Sequence, residues 1–381
     1  MATIKGCHLV GSVPLADTET VFKTCTQAMP NRLKRLPDGE TGARQHFIAC
    51  QGLLFPPAVQ CAFHLNKLPE FRDFSPEQVN EGLRLLEKAD MKTGYDDAAL
   101  ASYAVFRQLK QDGVIPADVR FQVSLPALGS VVSVFVQKAF QPRAEQLYEA
   151  AMFDAMRNIQ EGIPHGELAI QLDLAVDMFH WEGAWGDPWW GDREHLVGYV
   201  ARMADQVDKD VELGFHFCYG DMDHRHLIEP QSLKGVADFC NAILDKAHRP
   251  ASFVHCPVPL SAMDKLDSYF EPLGTLTPRL KEDGADLYLG LVHENKMDST
   301  RAMIEAASKA VPEFGVATEC GWGRTPEKHI QSILDISTAV SQPHGEPAAV
   351  VVQEEPKKRT SYRGRLSSLF KMPMRLARGK A

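Results

Sequence analysis

The chain has 381 residues, 44% hydrophobic and 24% charged, with a formal net charge of −9, the make-up of a globular protein with a large core. No run of eighteen apolar residues occurs, and the opening Met-Ala-Thr-Ile-Lys-Gly lacks the apolar core of a signal peptide, so neither a membrane span nor export is expected. Eight scattered cysteines exclude a dense disulfide scaffold and fit a reducing cytoplasm, and a strongly acidic body excludes nucleic acid as a partner. That acidity is partly hidden: residues 356–381 hold nine of the 41 Lys and Arg and no acid, so the rest carries 32 basic against 50 acidic residues, or −18.

Taken in chain order, apolar β-rich runs fall near 7–13, 33–38, 119–125, 167–174, 212–219, 252–257, 286–293 and 313–320. Helical patterns are expected near 17–29, 42–62, 142–161, 193–210, 231–247, 275–283, 298–310 and 326–340. Eight strand–helix units predict a (β/α)8 TIM barrel over residues 1–340. An open doubly wound sheet is the competing architecture, weakened because no Gly-x-Gly-x-x-Gly follows the first strand. Residues 64–118 form an insertion between strands 2 and 3, with helical stretches at 77–90 and 96–111. Residues 341–356 read as a linker. The basic tail behind it has scattered leucines that would suit an anionic membrane surface, but Pro373 interrupts them and a solvated, disordered tail is the expectation.

In a barrel of this kind the C-terminal strand ends line one mouth. The polar residues at those ends are Ser12, Asp38 with Glu40, Gln122 with Ser124, Asp173, His216 with Cys218, His255 with Cys256, His293, and Glu319 with Cys320. His216 and Cys218 are two apart on one strand, so both face the same side. With Cys320 they offer the sulfur and nitrogen donors that zinc takes, and His255 or Cys256 is the candidate for a fourth ligand. Spacing alone leaves buried free thiols as the rival reading, because no local Cys-x-x-Cys is present. Asp173 ends a strongly apolar strand, where a carboxylate needs a cation or a donor; it is read as a substrate anchor or general base, with a turn cap as the alternative. His293 is a candidate general acid or a structural histidine. Four of the five tryptophans crowd into Phe179–Asp192, a loop that either overhangs the mouth or packs on the rim.

These motifs resemble the catalytic C-terminal barrel of the cobalamin-independent methionine synthase family and its short single-barrel relatives. Val10-Gly11-Ser12-Val13-Pro14 is similar to that family's Ile-Gly-Ser-Phe-Pro, and Asp38-Gly39-Glu40-Thr41 to its His-Gly-Glu-Pro. Gln171-Leu172-Asp173 looks like its Gln-Ile-Asp, His216-Phe217-Cys218-Tyr219 its His-x-Cys-Tyr zinc pair, and Glu319-Cys320-Gly321 its Pro-Asp-Cys-Gly. His293 falls on the family's catalytic histidine. The resemblance implies Zn2+ held by His216, Cys218, His255 and Cys320, substrate contacts at Ser12, Glu40 and Asp173, and alkyl transfer from a donor to a small thiol. Two departures count against a folate-dependent methionine synthase. His255 stands where the family has a glutamate ligand, and Leu128-Gly129-Ser130 replaces the Asn-Trp-Ser on which a pterin stacks. Two rival functions remain: a metal-free lyase or decarboxylase on a barrel of the uroporphyrinogen-decarboxylase type, and an inactive small-molecule-binding relative.

Overall fold

A computed structural model describes residues 2–46, 48–62, 68–186, 188–220 and 226–345. The expected tail and most of the linker lie outside the described residues. Each of the eight strands appears beside its expected place: β1 (Thr3–His8), β2 (Arg35–Pro37), β3 (Arg120–Pro126), β4 (Leu168–Leu174), β5 (Glu212–Phe217), β6 (Phe253–Pro257), β7 (Asp286–Val292) and β8 (Glu313–Thr318). Around them run α1 (Thr18–Ala28), α2 (Pro76–Leu86), α3 (Tyr95–Gln111), α4 (Leu128–Phe135), α5 (Gln141–Gly162), α6 (Val176–Trp181) and α7 (Arg193–Asp205). The outer layer continues through α8 (Lys234–Lys246), α9 (Leu266–Phe270), α10 (Leu273–Asp283), α11 (Met297–Ala310) and α12 (Ile330–Val340).

The strands form one curled parallel sheet in the order β1-β8-β7-β6-β5-β4-β3-β2, that of a (β/α)8 barrel. The expected closure is met only in part. Between β1 and β2 the ladder gives way to a single bridge, Cys7 to Leu33, with Cys7 N–H donating to the Arg32 carbonyl at 2.7 Å. The cause is local. β2 is three residues long and ends on Pro37, which has no N–H, while Gly6 sits inside β1 at φ +69°, outside the extended region. Residues read as the start of a linker repair this seam. Gln342 bridges to Lys5 and exchanges backbone hydrogen bonds with Ile4 and Gly6, and His344 N–H donates to the Asn31 carbonyl at 2.7 Å. Gly6 is required there, since a Cβ would lie 2.1 Å from the His344 ring. The compact unit accordingly runs through residue 347 and includes the insertion.

Side-chain alternation divides the sheet into two cores. Outward residues such as Leu172, Phe215 and Val254 join the helices in one large apolar cluster. The inward side is stacked in layers. At its base Arg35 is 3% exposed, paired with Glu212 at 2.5 Å and Asp286 at 3.2 Å, and lies 4.1 Å from the Phe253 ring centroid. Gly214 and Gly315 leave room for the Phe253 and Tyr288 rings. Above them His8, Gln122, Gln171 and His255 make a polar layer, and Ser124, Asp173 and His216 reach the mouth. Helix starts follow ordinary capping: Asp17 accepts from Thr20 N–H, and Ser75 with Gln78 forms a capping box ahead of Pro76.

Three expectations change. The helix expected at 42–62 is two short 3-10 turns, Gly42–Arg44 and Ala49–Leu54, broken by Gly42 at φ +68° and by Pro56-Pro57. The first strand starts four residues earlier than its pattern suggested, because Leu9–Val13 is buried connection whose Val13 N–H bonds the Gly39 carbonyl. α4 was not anticipated: all eight of its residues are buried, so it has no polar face to reveal a helical period.

Two stability measurements follow. Gly214→Ala would set a Cβ 2.1 Å from the Phe253 ring, and should lower stability by about 1–3 kcal/mol in urea titration. Adding Phe253→Leu should restore most of that loss. Truncation after Val340 should cost about 2–4 kcal/mol relative to truncation after Pro347, because only the longer chain keeps the hydrogen bonds of Gln342 and His344.

Candidate metal centre

β5 carries His216 near its end and Cys218 just beyond it, with Cys218 N–H still bonded across to the Leu174 carbonyl of β4 at 3.2 Å. Both side chains are buried. Cys320 arrives from the other side of the sheet, two residues after β8. The ligand atoms of His216, Cys218 and Cys320 all lie within 4.8 Å of one another. The two sulfurs are 3.6 Å apart, close to the roughly 3.8 Å expected of two thiolates on one tetrahedral zinc. Among the described residues this is the cluster of His, Cys, Asp and Glu suited to sharing an ion. Two thiols and an imidazole are a donor set that fits zinc.

His255 stands outside that group. Its Nδ1 is 2.7 Å from Nδ1 of His216, and its Nε2 is 2.9 Å from the Thr318 carbonyl. Cys256 points the other way, into the apolar layer near Cys240, and burial pushes its thiol up to about 12. It has no part in the mouth. Burial also holds both imidazoles neutral, His255 at about 4 and His216 well below its ordinary value, the latter aided by the neighbouring His255.

Two carboxyls face the cluster. Asp173 is the penultimate residue of β4, and its Oδ1 accepts from Gln171 Nε2–H at 2.7 Å. Burial, then Glu40, then Cys320 push its carboxyl well above the usual range. Glu40 adopts φ +48°, a left-handed conformation uncommon for a residue with a Cβ. The turn is held by its own N–H on Asp38 Oδ1 at 2.8 Å, while Asp38 Oδ2 takes Arg44 at 2.6 Å and the Ser102 hydroxyl at 2.7 Å. Burial, with Asp38 and Cys320 nearby, raises Glu40 to about 8. The two acids and the thiol thus repel one another, and a cation placed among them would relieve all three. A small cavity of about 50 Å³ beside Glu40 is lined by Arg44, Tyr95, Gln122 and Ser124.

Ser12 clasps β1 to the loop after β8: its Oγ accepts Gly323 N–H at 3.2 Å, and its carbonyl accepts Trp322 N–H at 2.6 Å. His293 follows β7, and its Nε2–H donates to the Val258 carbonyl at 2.9 Å, leaving Nδ1 as the nitrogen for proton exchange. Burial lowers its affinity for a proton, against the pull of Glu319.

Three residues of the mouth escaped the sequence reading. Tyr95 starts α3 in the insertion and lines the cavity with Glu40; burial, then Tyr148 and Cys50, then Glu40 and Asp173 raise its phenol. No motif marks it. Arg324 brings its guanidinium 3.7 Å from Cys320 Sγ. His226 is wedged between Glu319 at 2.7 Å and Glu229 at 3.0 Å. Burial opposes its charge, but the two glutamates outweigh it and hold the imidazole at about 9. A run of Asp and His from 221 to 226 was the available signal. The tryptophans pack rather than hang free: Trp181 stacks on Phe239, Trp190 on His195, and Trp189 Nε1–H donates to Glu145 at 2.6 Å.

No family model matches this chain, and no curated protein matches it. Among solved structures it is similar to a Listeria monocytogenes protein described as a vitamin-B12-independent methionine synthase, at 13% identity, over 88% of this chain and 96% of that one, with a TM-score of 0.45. It is also similar to the catalytic domain of a Bacillus endo-β-1,4-mannanase, at 12% identity over 86% and 92% of the two chains, TM-score 0.38. A Bacteroides thetaiotaomicron protein described as an α-L-fucosidase matches at 12% identity over 71% and 74%, TM-score 0.25. Likenesses this distant leave the functional reading to the site itself.

Proposed function

We propose that this chain is a zinc-dependent alkyltransferase acting on the sulfur of a small thiol that carries a cationic amino group. The observation that carries the reading is the convergence of His216, Cys218 and Cys320 from two non-adjacent strands. Zinc bound to these residues would lower the pKa of a substrate thiol and keep it as a usable nucleophile.

The remaining work falls to the chain's own groups. Asp173 and Glu40 would hold the ammonium of the substrate, which would add to the partial compensation that Arg44 and Arg324 give. Their fixed positions would aim the sulfur at the incoming alkyl carbon. The thiol proton would pass to solvent as the thiolate forms, the sulfur–carbon bond would form, and the bond from that carbon to its leaving group would break. His293 would move a proton through Nδ1 to the departing group, with the cationic His226 nearby to replenish it. The position of the family's pterin-stacking residue lies in α4, whose side chains are buried, which supports a donor other than a folate.

Elemental analysis under reducing conditions tests the reading. The wild type should carry about one zinc per chain and a Cys218→Ser/Cys320→Ser variant almost none. A wild type that takes up no zinc on reconstitution would sink the alkyltransferase and favour metal-free proton transfer by Asp173 and His293. A second test concerns Glu40 in metal-free protein. Its folded carboxyl sits at about 8 against an ordinary 4.5, so the fold holds that proton more tightly than the unfolded chain does. Stability should therefore fall as pH rises from 5 to 8, by at most about 1.4 kcal/mol per pH unit from this group, and then level off. Glu40→Gln should shrink that fall in urea midpoints; an unchanged fall would show that Glu40 is solvated.

A further inference from the structure

Resting on the zinc reading, we infer that His255 is a positioning residue rather than a metal ligand, and that it fixes His216 with Nε2 as the nitrogen offered to the ion. The metal would then have three protein donors and an open fourth position for the substrate sulfur.

The argument is one of donors and acceptors. The Thr318 carbonyl can only accept, so the 2.9 Å contact requires the hydrogen of His255 to sit on Nε2. In a neutral ring Nδ1 of His255 is then a lone pair. Its neighbour at 2.7 Å, Nδ1 of His216, must therefore be the donor. With Nδ1–H committed, the lone pair of His216 is on Nε2. This is the familiar logic of an outer partner setting the tautomer of a histidine ligand, here with an imidazole in the place of a carboxylate.

The relay has little freedom. His216 and His255 are opposed Cα partners in the β5–β6 ladder, and His255 is fully buried. His8 packs against it with ring centroids 5.9 Å apart, itself stacked on Tyr288 and tied to Gln171. At the far end Thr318 is pinned, its hydroxyl donating to the Cys320 carbonyl at 2.6 Å and accepting Trp322 Nε1–H at 2.8 Å. One short segment thus supplies the Cys320 thiol and, through Thr318, sets the orientation of His216. With His255 in this role the bound centre would hold two thiolates and a neutral imidazole against Zn2+, with no net charge, so the acids Asp173 and Glu40 remain to attract a cationic substrate.

Three measurements on the whole 381-residue chain decide it. Zinc K-edge absorption of the zinc-loaded wild type should show two sulfurs and one imidazole, and adding 2-mercaptoethanol should raise the sulfur count to three. Two imidazoles, or a sulfur count that stays at two, would overturn the inference while leaving the zinc reading intact; no zinc at all would instead sink that reading. His255→Gln, which keeps an acceptor for His216, should retain the same shell with less than tenfold loss of zinc affinity. His255→Leu should lose about 10–100-fold while keeping its circular dichroism. Equal loss in both would mark His255 as a ligand. In metal-free protein, long-range 1H–15N spectra of 15N-histidine samples should show His216 as the Nδ1–H tautomer, assigned by its loss in His216→Gln. An Nε2–H tautomer would overturn the relay whatever the metal does.

Discussion

The fold depends on satisfying a polar column inside a parallel sheet. Arg35 with Glu212 and Asp286 closes its base, His8, Gln122 and Gln171 cross its middle, and His255 with His216 carries it to the mouth. A buried polar group without a partner is costly, so most members constrain the next; the Gln122 side-chain oxygen is the exception, buried with no partner among the described residues. Gln171 shows this: its amide reaches the Val10 carbonyl, Asp173 and Ser124, while its oxygen faces His8. Strand register, tautomers and the aim of the mouth groups are consequences of the same accounting.

The mouth adds a second constraint, electrostatic rather than steric. Cys320, Glu40 and Asp173 crowd together, and the nearby cations Arg44 and Arg324 only partly compensate. Such a cluster of raised acids would be relieved by a nearby cation. Much of it is built by the insertion. α3 braces Asp38 through Ser102 and presents Tyr95, so the segment that interrupts the barrel repeat also lines the cavity beside Glu40.

The strands were legible because residues such as those of β4, buried at every position, leave a mostly apolar run in which only Gln171 and Asp173 are polar. His216 and Cys218 were legible for the same reason, since a period of two decides which side chains share a face. What the sequence hid was of three kinds. His255 lies on the correct face, and only the Thr318 carbonyl and His216 Nδ1 reveal that both its nitrogens are engaged. Tyr95, Arg324 and His226 come from loops and an insertion, where proximity is created by the chain's path and leaves no periodic trace. The seam at β1–β2 was hidden too, because it depends on Gly6 and on a partner more than 300 residues away.

That seam has a consequence for how the molecule is made. The β1 strand leaves the ribosome more than 300 residues ahead of the peptide that stitches it, 341–344. Until it emerges, the Lys5 and Gly6 edge has no backbone partner on that side from Gln342, while the remaining ladders are already available to form. Vectorial synthesis should therefore yield a nearly complete sheet that waits, with one edge open to chaperones, for its own C-terminal stitch.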